Sequence, residues 1–143
     1  MNVDSFKQYF VMSTQQKGFF WIELGADENR SVLKSVVGLP NFPECFITVE
    51  ITGNSILANF YLNQAVYSTD TLRLINDFNE HVTFLKAFVA PDEDDVNYLL
   101  VSAGDFFVSS EEDGVNAFLK LFSYIQSEGV ATFLRPLTII SHK

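Results

Sequence analysis

The residues with chemistry to offer are few: His81, His142, Cys45, two acidic runs and some isolated carboxylates and tyrosines. His81 closes a helical pattern and His142 is the penultimate residue, so neither is placed as a general base. A lone histidine at a helix C-terminus compensates the helix dipole, and chain ends fray. A metal site needs converging ligands, which one cysteine and two distant histidines do not supply. Cys45 falls inside a strand pattern, where a thiol behaves as a small buried hydrophobe. No Gly-x-Ser-x-Gly elbow and no glycine-rich phosphate loop occur. Asp92-Glu93-Asp94-Asp95 begins like a calcium loop, but Val96 and Asn97 stand where an oxygen ligand and a glycine are required. It reads as a solvated hairpin loop, and Glu111-Glu112-Asp113 as the acidic first turn of a helix. No catalytic, metal or cofactor-binding residue is assigned.

Two sets of residues remain. Glu50, Tyr61, Tyr98 and Asp105 are the polar groups that a pocket between sheet and helices would use, in a small-ligand binder or a hydrolase. Asn76, Asn79, Phe106 and Phe107 are the candidates for partner contact. Asparagine suits a helix interior poorly, because its amide competes for backbone hydrogen bonds. Two asparagines three residues apart therefore have a local job: tying the helix end to the next strand, or hydrogen-bonding a partner's backbone. The 15 phenylalanines raise a parallel choice between a core built of rings and a seam or groove lined by them.

The 143 residues carry nine Lys+Arg against 18 Asp+Glu, a formal net charge of −9. Such a surface repels phosphate, which disfavours nucleic acid and anionic membranes as partners, and its acidic rims would steer a basic protein. The cations stand singly along the chain. No apolar window reaches the length of about 20 residues that spans a bilayer. The start, Met1-Asn2-Val3-Asp4-Ser5, lacks the basic and apolar parts of an export signal. With a single cysteine, the expectation is a cytoplasmic protein.

Element signals follow in order. Val3, Phe6 and Phe10 mark a helix over 2–16, capped by Asn2, and residues 19–24 a short strand. Residues 32–37 fit strand or helix. Period-2 alternation over 45–51 and 56–62, around Thr52-Gly53-Asn54-Ser55, marks a hairpin. A second helix is capped by Ser68 or Thr69 and carries Leu74, Ile75 and Phe78 on one face. Strands over 82–90 and 96–102 follow, with Gly104 interrupting before 105–108. Ser109 and Glu112 have capping-box spacing ahead of a helix through Ile125, with Gly129 as its stop and a terminal strand over 130–140. Residues 1–143 thus form one α+β domain: helix, strands, helix, hairpin, helix, strand, with an antiparallel sheet covered by helices on one face.

Leu74-Ile75-Asn76-Asp77-Phe78-Asn79, Phe84-Leu85-Lys86-Ala87-Phe88-Val89 and Val108-Ser109-Ser110-Glu111-Glu112 resemble the YbjN family and the wider type III secretion chaperone-like fold. The order helix, three strands, helix, two strands, helix agrees over most of the chain. Residues 25–43 and the C-terminal segment are additional. The resemblance implies a compact antiparallel sheet whose helices dimerise or grip partner segments, and it carries over no catalytic residue. The expectation is a non-enzymatic, chaperone- or regulator-like protein-binding module, acidic, homodimeric and without cofactor. The alternatives are a small-ligand binder or hydrolase, and an immunity or inhibitor protein for a basic toxin.

Overall fold

The computed structural model describes residues 2–43, 45–65, 68–92 and 94–140, so His142 and Glu93 lie outside the described residues. Asn2 opens the fold. Its side-chain oxygen accepts the Ser5 N–H at 3.0 Å and caps α1, Val3–Gln15. Phe6, Phe10 and Thr14, one per turn, form the buried stripe of that helix. Thr14 tolerates burial because its hydroxyl donates to the Phe10 carbonyl and accepts the Trp21 indole N–H, both at 2.7 Å. The second bond brings the chain to β1, Ile22–Ala26.

From there the chain meanders through β2 (Arg30–Val36), β3 (Phe46–Thr52) and β4 (Ser55–Gln64). Helix α2, Thr69–His81, carries it over to β5, Lys86–Pro91, and β6, Asn97–Phe107, returns between β4 and β5. The sheet order is β1-β2-β3-β4-β6-β5, with every neighbouring pair antiparallel. Helices α3 (Glu111–Ile125) and α4 (Glu128–Leu134) and a 3-10 segment, Arg135–Ile140, complete the fold. Buried apolar residues from each of the four helices, Phe6, Phe78, Phe118 and Leu134 among them, share one cluster with Leu33, Ile47, Val49, Phe60 and Val101 of the inner sheet face. The opposite face carries no helix among the described residues. Six rings pack together, with Trp21 and Phe122 half-buried at the margin of the cluster: Phe118 meets Phe10, Phe19 and Trp21 edge-on at 5.1–5.9 Å, and Phe122 packs on Phe19 and Phe60. Such pairs add about 0.5–1.5 kcal/mol beyond area burial.

The α+β antiparallel architecture agrees with expectation, and several elements differ in detail. The 32–37 segment, ambiguous by period, falls for the most part in a strand, Arg30–Val36, with Ser31, Leu33 and Ser35 inward. The cap of α3 is Ser110, which accepts the Asp113 N–H at 3.1 Å, while the Ser109 hydroxyl donates to the Asp113 carboxylate. Ser109–Glu112 and Ser110–Asp113 offer the same cap spacing, so local sequence left one residue of slack. Gly129 does not stop α3. That helix ends at Ile125 and Gly129 lies inside α4. The expected strand over 130–140 is helical, because Val130, Leu134 and Leu137 at i, i+4 and i+7 all reach the core. Gly104 does not break β6. At φ +73° it makes a bulge, where β6 supplies one residue more than β4 between the Asn59 and Leu57 registers.

Gly114 lies where α3 passes α1. A Cβ there would sit 2.5 Å from Phe6 Cζ and 3.3 Å from Ile56 Cδ1. Gly114→Ala is expected to lower stability in urea by about 1–3 kcal/mol despite its better helix propensity. Adding Phe6→Leu is expected to recover part of that loss.

Candidate functional site

The four residues expected to serve a small-molecule pocket all lie on the open sheet face, not between sheet and helices. Tyr61 and Tyr98 meet edge-on at 5.8 Å, and Phe46 stacks on Tyr61 at 4.5 Å. Lys34 places its ammonium 4.2 Å from the Phe46 ring centroid. Leu100, the strand partner of both Tyr61 and Phe88, is buried although it belongs to this face and not to the main cluster. Glu50 is paired with Arg30 at 3.1 Å. Its strand partner is Leu57, whose partner in turn is Asp105. Glu50 and Asp105 are therefore two strand spacings apart, roughly 10 Å, without a cleft between them. Three of the nine cations, Arg30 and Lys34 on β2 and Lys86 four strands away on β5, share this face with two carboxylates, Glu50 and Asp105.

Asn79 takes the first of its two expected jobs. Its amide donates to the Ala87 carbonyl at 3.0 Å, and its oxygen accepts the Ala87 N–H at 2.7 Å. The side chain thus pairs with the outer edge of β5 as a neighbouring strand would. Two residues later Val89 faces the same way, and then Pro91, which has no N–H. Asn76 is exposed among Thr69, Leu72, Arg73, Asp77 and Glu80 on the outer surface of α2. Phe106 is half-buried against the core, whereas Phe107 is 82% exposed. His81 stacks on Phe133 at 4.8 Å, and its Nδ1 lies 2.9 Å from the Asp77 carbonyl and 3.3 Å from the Asp77 carboxylate. Asp77, Glu80 and His81 bring their ligating atoms within 4.8 Å of one another, all at the exposed surface. Asp92 closes its own loop by accepting the Asp94 and Val96 N–H groups. Burial pushes the Cys45 thiol up to about 12, so it offers no thiolate nucleophile near neutral pH.

One surface feature is a groove that sequence did not single out. A groove of about 660 Å³ runs between the end of α2, the 82–85 turn, the start of β5 and the bulge of β6. Its lining is mainly apolar, with Val82, Phe84, Leu85, Phe88, Ala103 and Gly104 among its residues. Val82 and Leu85 are both buried, so the two residues between them must turn outward. The Tyr124 hydroxyl on α3 donates to the Thr83 carbonyl at 2.7 Å and holds that turn. Phe84 closes it with φ +68° and 84% of its surface exposed. The other non-glycine residues with positive φ among those described are Asn41 and Asp95, types that tolerate the left-handed region. Phenylalanine does not, and no local sequence signal marks the position.

No protein-family model matches the chain, and no curated protein matches it. Among solved structures, the chain is similar to YbjN from E. coli, described as a candidate transcription regulator. That match has 18% identity over 91% of this chain and 86% of that one, with a TM-score of 0.49. The likeness is one of chain path and assigns no activity.

Removing the Asn79 amide leaves the buried Ala87 with an unbonded N–H and C=O. Asn79→Ala is expected to cost about 1–3 kcal/mol and to speed hydrogen exchange at the Ala87 amide. Asn79→Asp keeps an acceptor for that N–H but sets a carboxylate against the carbonyl, so it should recover only part of the loss.

Proposed function

We propose that this chain is a non-enzymatic protein-binding module that holds a segment of a partner protein in the groove beside Phe84. The observation that carries the reading is Phe84 itself. Left-handed backbone costs an L-residue roughly 1–2 kcal/mol, and full exposure of an aromatic ring forgoes the burial that would offset it. Beyond one edge contact with Tyr124 at 6.5 Å, the ring makes no aromatic packing among the described residues. A residue that costs stability and packs so little fits a role outside the fold, as strained residues at ligand-contact sites do. The net charge of −9 disfavours nucleic acid as the partner. An inhibitor that masks a basic protein would use the same surface. The lone buried cysteine is compatible with a reducing cytoplasm as the place of action. No helix among the described residues is long and apolar enough to cross a membrane.

Phe84→Gly relieves the backbone and deletes the ring. Stability in urea is expected to stay level or rise by up to about 1 kcal/mol, while partner capture from native extract is lost. A variant that captures the same proteins as the parent chain would refute the reading.

A homodimer is the second reading, and one observation favours it. Phe20, Ile22 and Leu24 are exposed at alternate positions at the β1 edge, with Val36 exposed on β2 beside them. Edge-to-edge pairing is opposed by the β1 bulge between Glu23 and Gly25 and by Glu23, which Ser31 and Lys7 hold at the sheet's inner face. Ile22→Asp should therefore convert a face-packed dimer to monomer in sedimentation, and a parent chain that is monomeric at high concentration removes this reading.

A further inference from the structure

Strand β5 is shorter than the strand it pairs with. Its register runs from Pro91↔Asn97 to Lys86↔Ser102 and stops there, while β6 continues to Phe107 along β4. From Ala103 to Phe107, β6 has a neighbour on one side only, and the groove occupies the start of the lane that β5 leaves open. The direction of the backbone groups follows from the ladder. Asn79 binds the outward N–H and C=O of Ala87, so Lys86 and Ser102 turn theirs towards each other. Ser102 pairs with Asn59 and Asp105 with Leu57, two residues further along β4. The bulge absorbs the extra residue, so Asp105, and Phe107 after it, turn N–H and C=O towards the open lane. The other sheet edges are blunted by Asn79 and Pro91 on β5 and by the bulge and Glu23 on β1.

Resting on the protein-binding reading, we infer that a partner binds by adding a strand antiparallel to Asp105–Phe107, in line with β5, with Phe84 at the mouth of the lane. The occupant is an extended segment of another protein, with an apolar residue opposite Phe107 and a lysine or arginine opposite Asp105. Both positions lie on the open face, so the segment reads apolar-x-basic. Asp105 decides between occupants. It sits at the centre of the 103–107 run, so a second copy paired along that run would set Asp105 against Asp105, a destabilising like-charge pair. A basic residue there gains a cross-strand ion pair instead. Asp105 has no ion-pair partner among the described residues, and neither has Glu80 or Lys86, whose opposite charges line the groove wall, so Asp105 is the uncompensated charge along the lane.

The probe is a displayed library of random heptapeptides selected on the full chain. Enriched peptides should share the apolar-x-basic pattern, and the synthetic form of the most enriched one should slow exchange of the Asp105 and Phe107 amides. Asp105→Lys should weaken that peptide about tenfold and, in a fresh selection, enrich acidic residues at the basic position. N-methylation of the peptide backbone should abolish binding. Peptides that need Phe84 but ignore Asp105→Lys and leave the two amides unprotected would overturn strand addition and leave the protein-binding reading standing. Peptides indifferent to both, or no enrichment at all, would overturn both. A parent chain that protects 105–107 by self-association would replace the partner with a second copy.

Discussion

The amide of Asn79 decides where the sheet ends. By pairing with both backbone groups of Ala87 it supplies β5 with a neighbour where a strand is missing, and it anchors the last turn of α2 to the start of that strand. The two bonds are worth little as net hydrogen bonds and much as satisfied burial, since Ala87 is inside the protein and has no water to turn to. Three features follow. Strand β5 is held tightly to α2, and its start is closed to lateral pairing. The link between them is reduced to four residues, of which the outer two are buried. The inner pair, Thr83 and Phe84, is forced into a turn that no glycine relieves.

Phenylalanine abundance has two physical outcomes in one molecule. On the helix side, rings from α1, α3, β4 and the 19–21 segment fill the core. On the open side, Phe46, Tyr61 and Tyr98 pack on one another, and Leu100, flanked across the strands by Tyr61 and Phe88, is buried without a covering helix. The strands therefore read as alternating apolar and polar even where both faces hold rings, because Tyr, Thr and Asn count as polar on the outer side. Charge divides in the same way. Arg30, Lys34 and Lys86 face outward from the sheet, while most carboxylates sit on helices and loops. A net charge of −9 describes the whole chain and misdescribes this face.

Much of the architecture was legible because its signals are local. Asn2 and Ser68 cap helices by their own side chains, and the β3–β4 hairpin alternates over both arms. What failed depended on distant partners. The segment over 130–140 contains β-branched residues and a proline, and only the core beneath Val130, Leu134 and Leu137 makes it helical. The 82–90 stretch alternates throughout, but Val82 and Leu85 are drawn into the core on either side of the turn, so pairing starts at Lys86. Of the proposed contact residues, Asn79 was readable as an anomaly in a helix, and its target was not. Phe84 gave no sign at all, since its conformation is imposed by Tyr124 on a helix 40 residues away in sequence.

A strained turn is retained when the surrounding contacts over-determine it, and here two buried neighbours, the Asn79 pair and the Tyr124 hydroxyl all do so. Over-determination explains why the backbone stays left-handed, but it does not explain the side chain. Glycine would satisfy the same contacts without the Cβ penalty, and asparagine would do so at smaller cost, as at Asn41. Nor is the ring needed to keep water from a core that Val82 and Leu85 already seal. What the ring does add is a rigid apolar wall at the point where the β5 lane opens beside β6. An extended segment entering that lane would bury it, gaining on binding the contact area that the fold forgoes. The backbone strain and the exposed ring thus have one common explanation, and it lies in the complex rather than in the free chain.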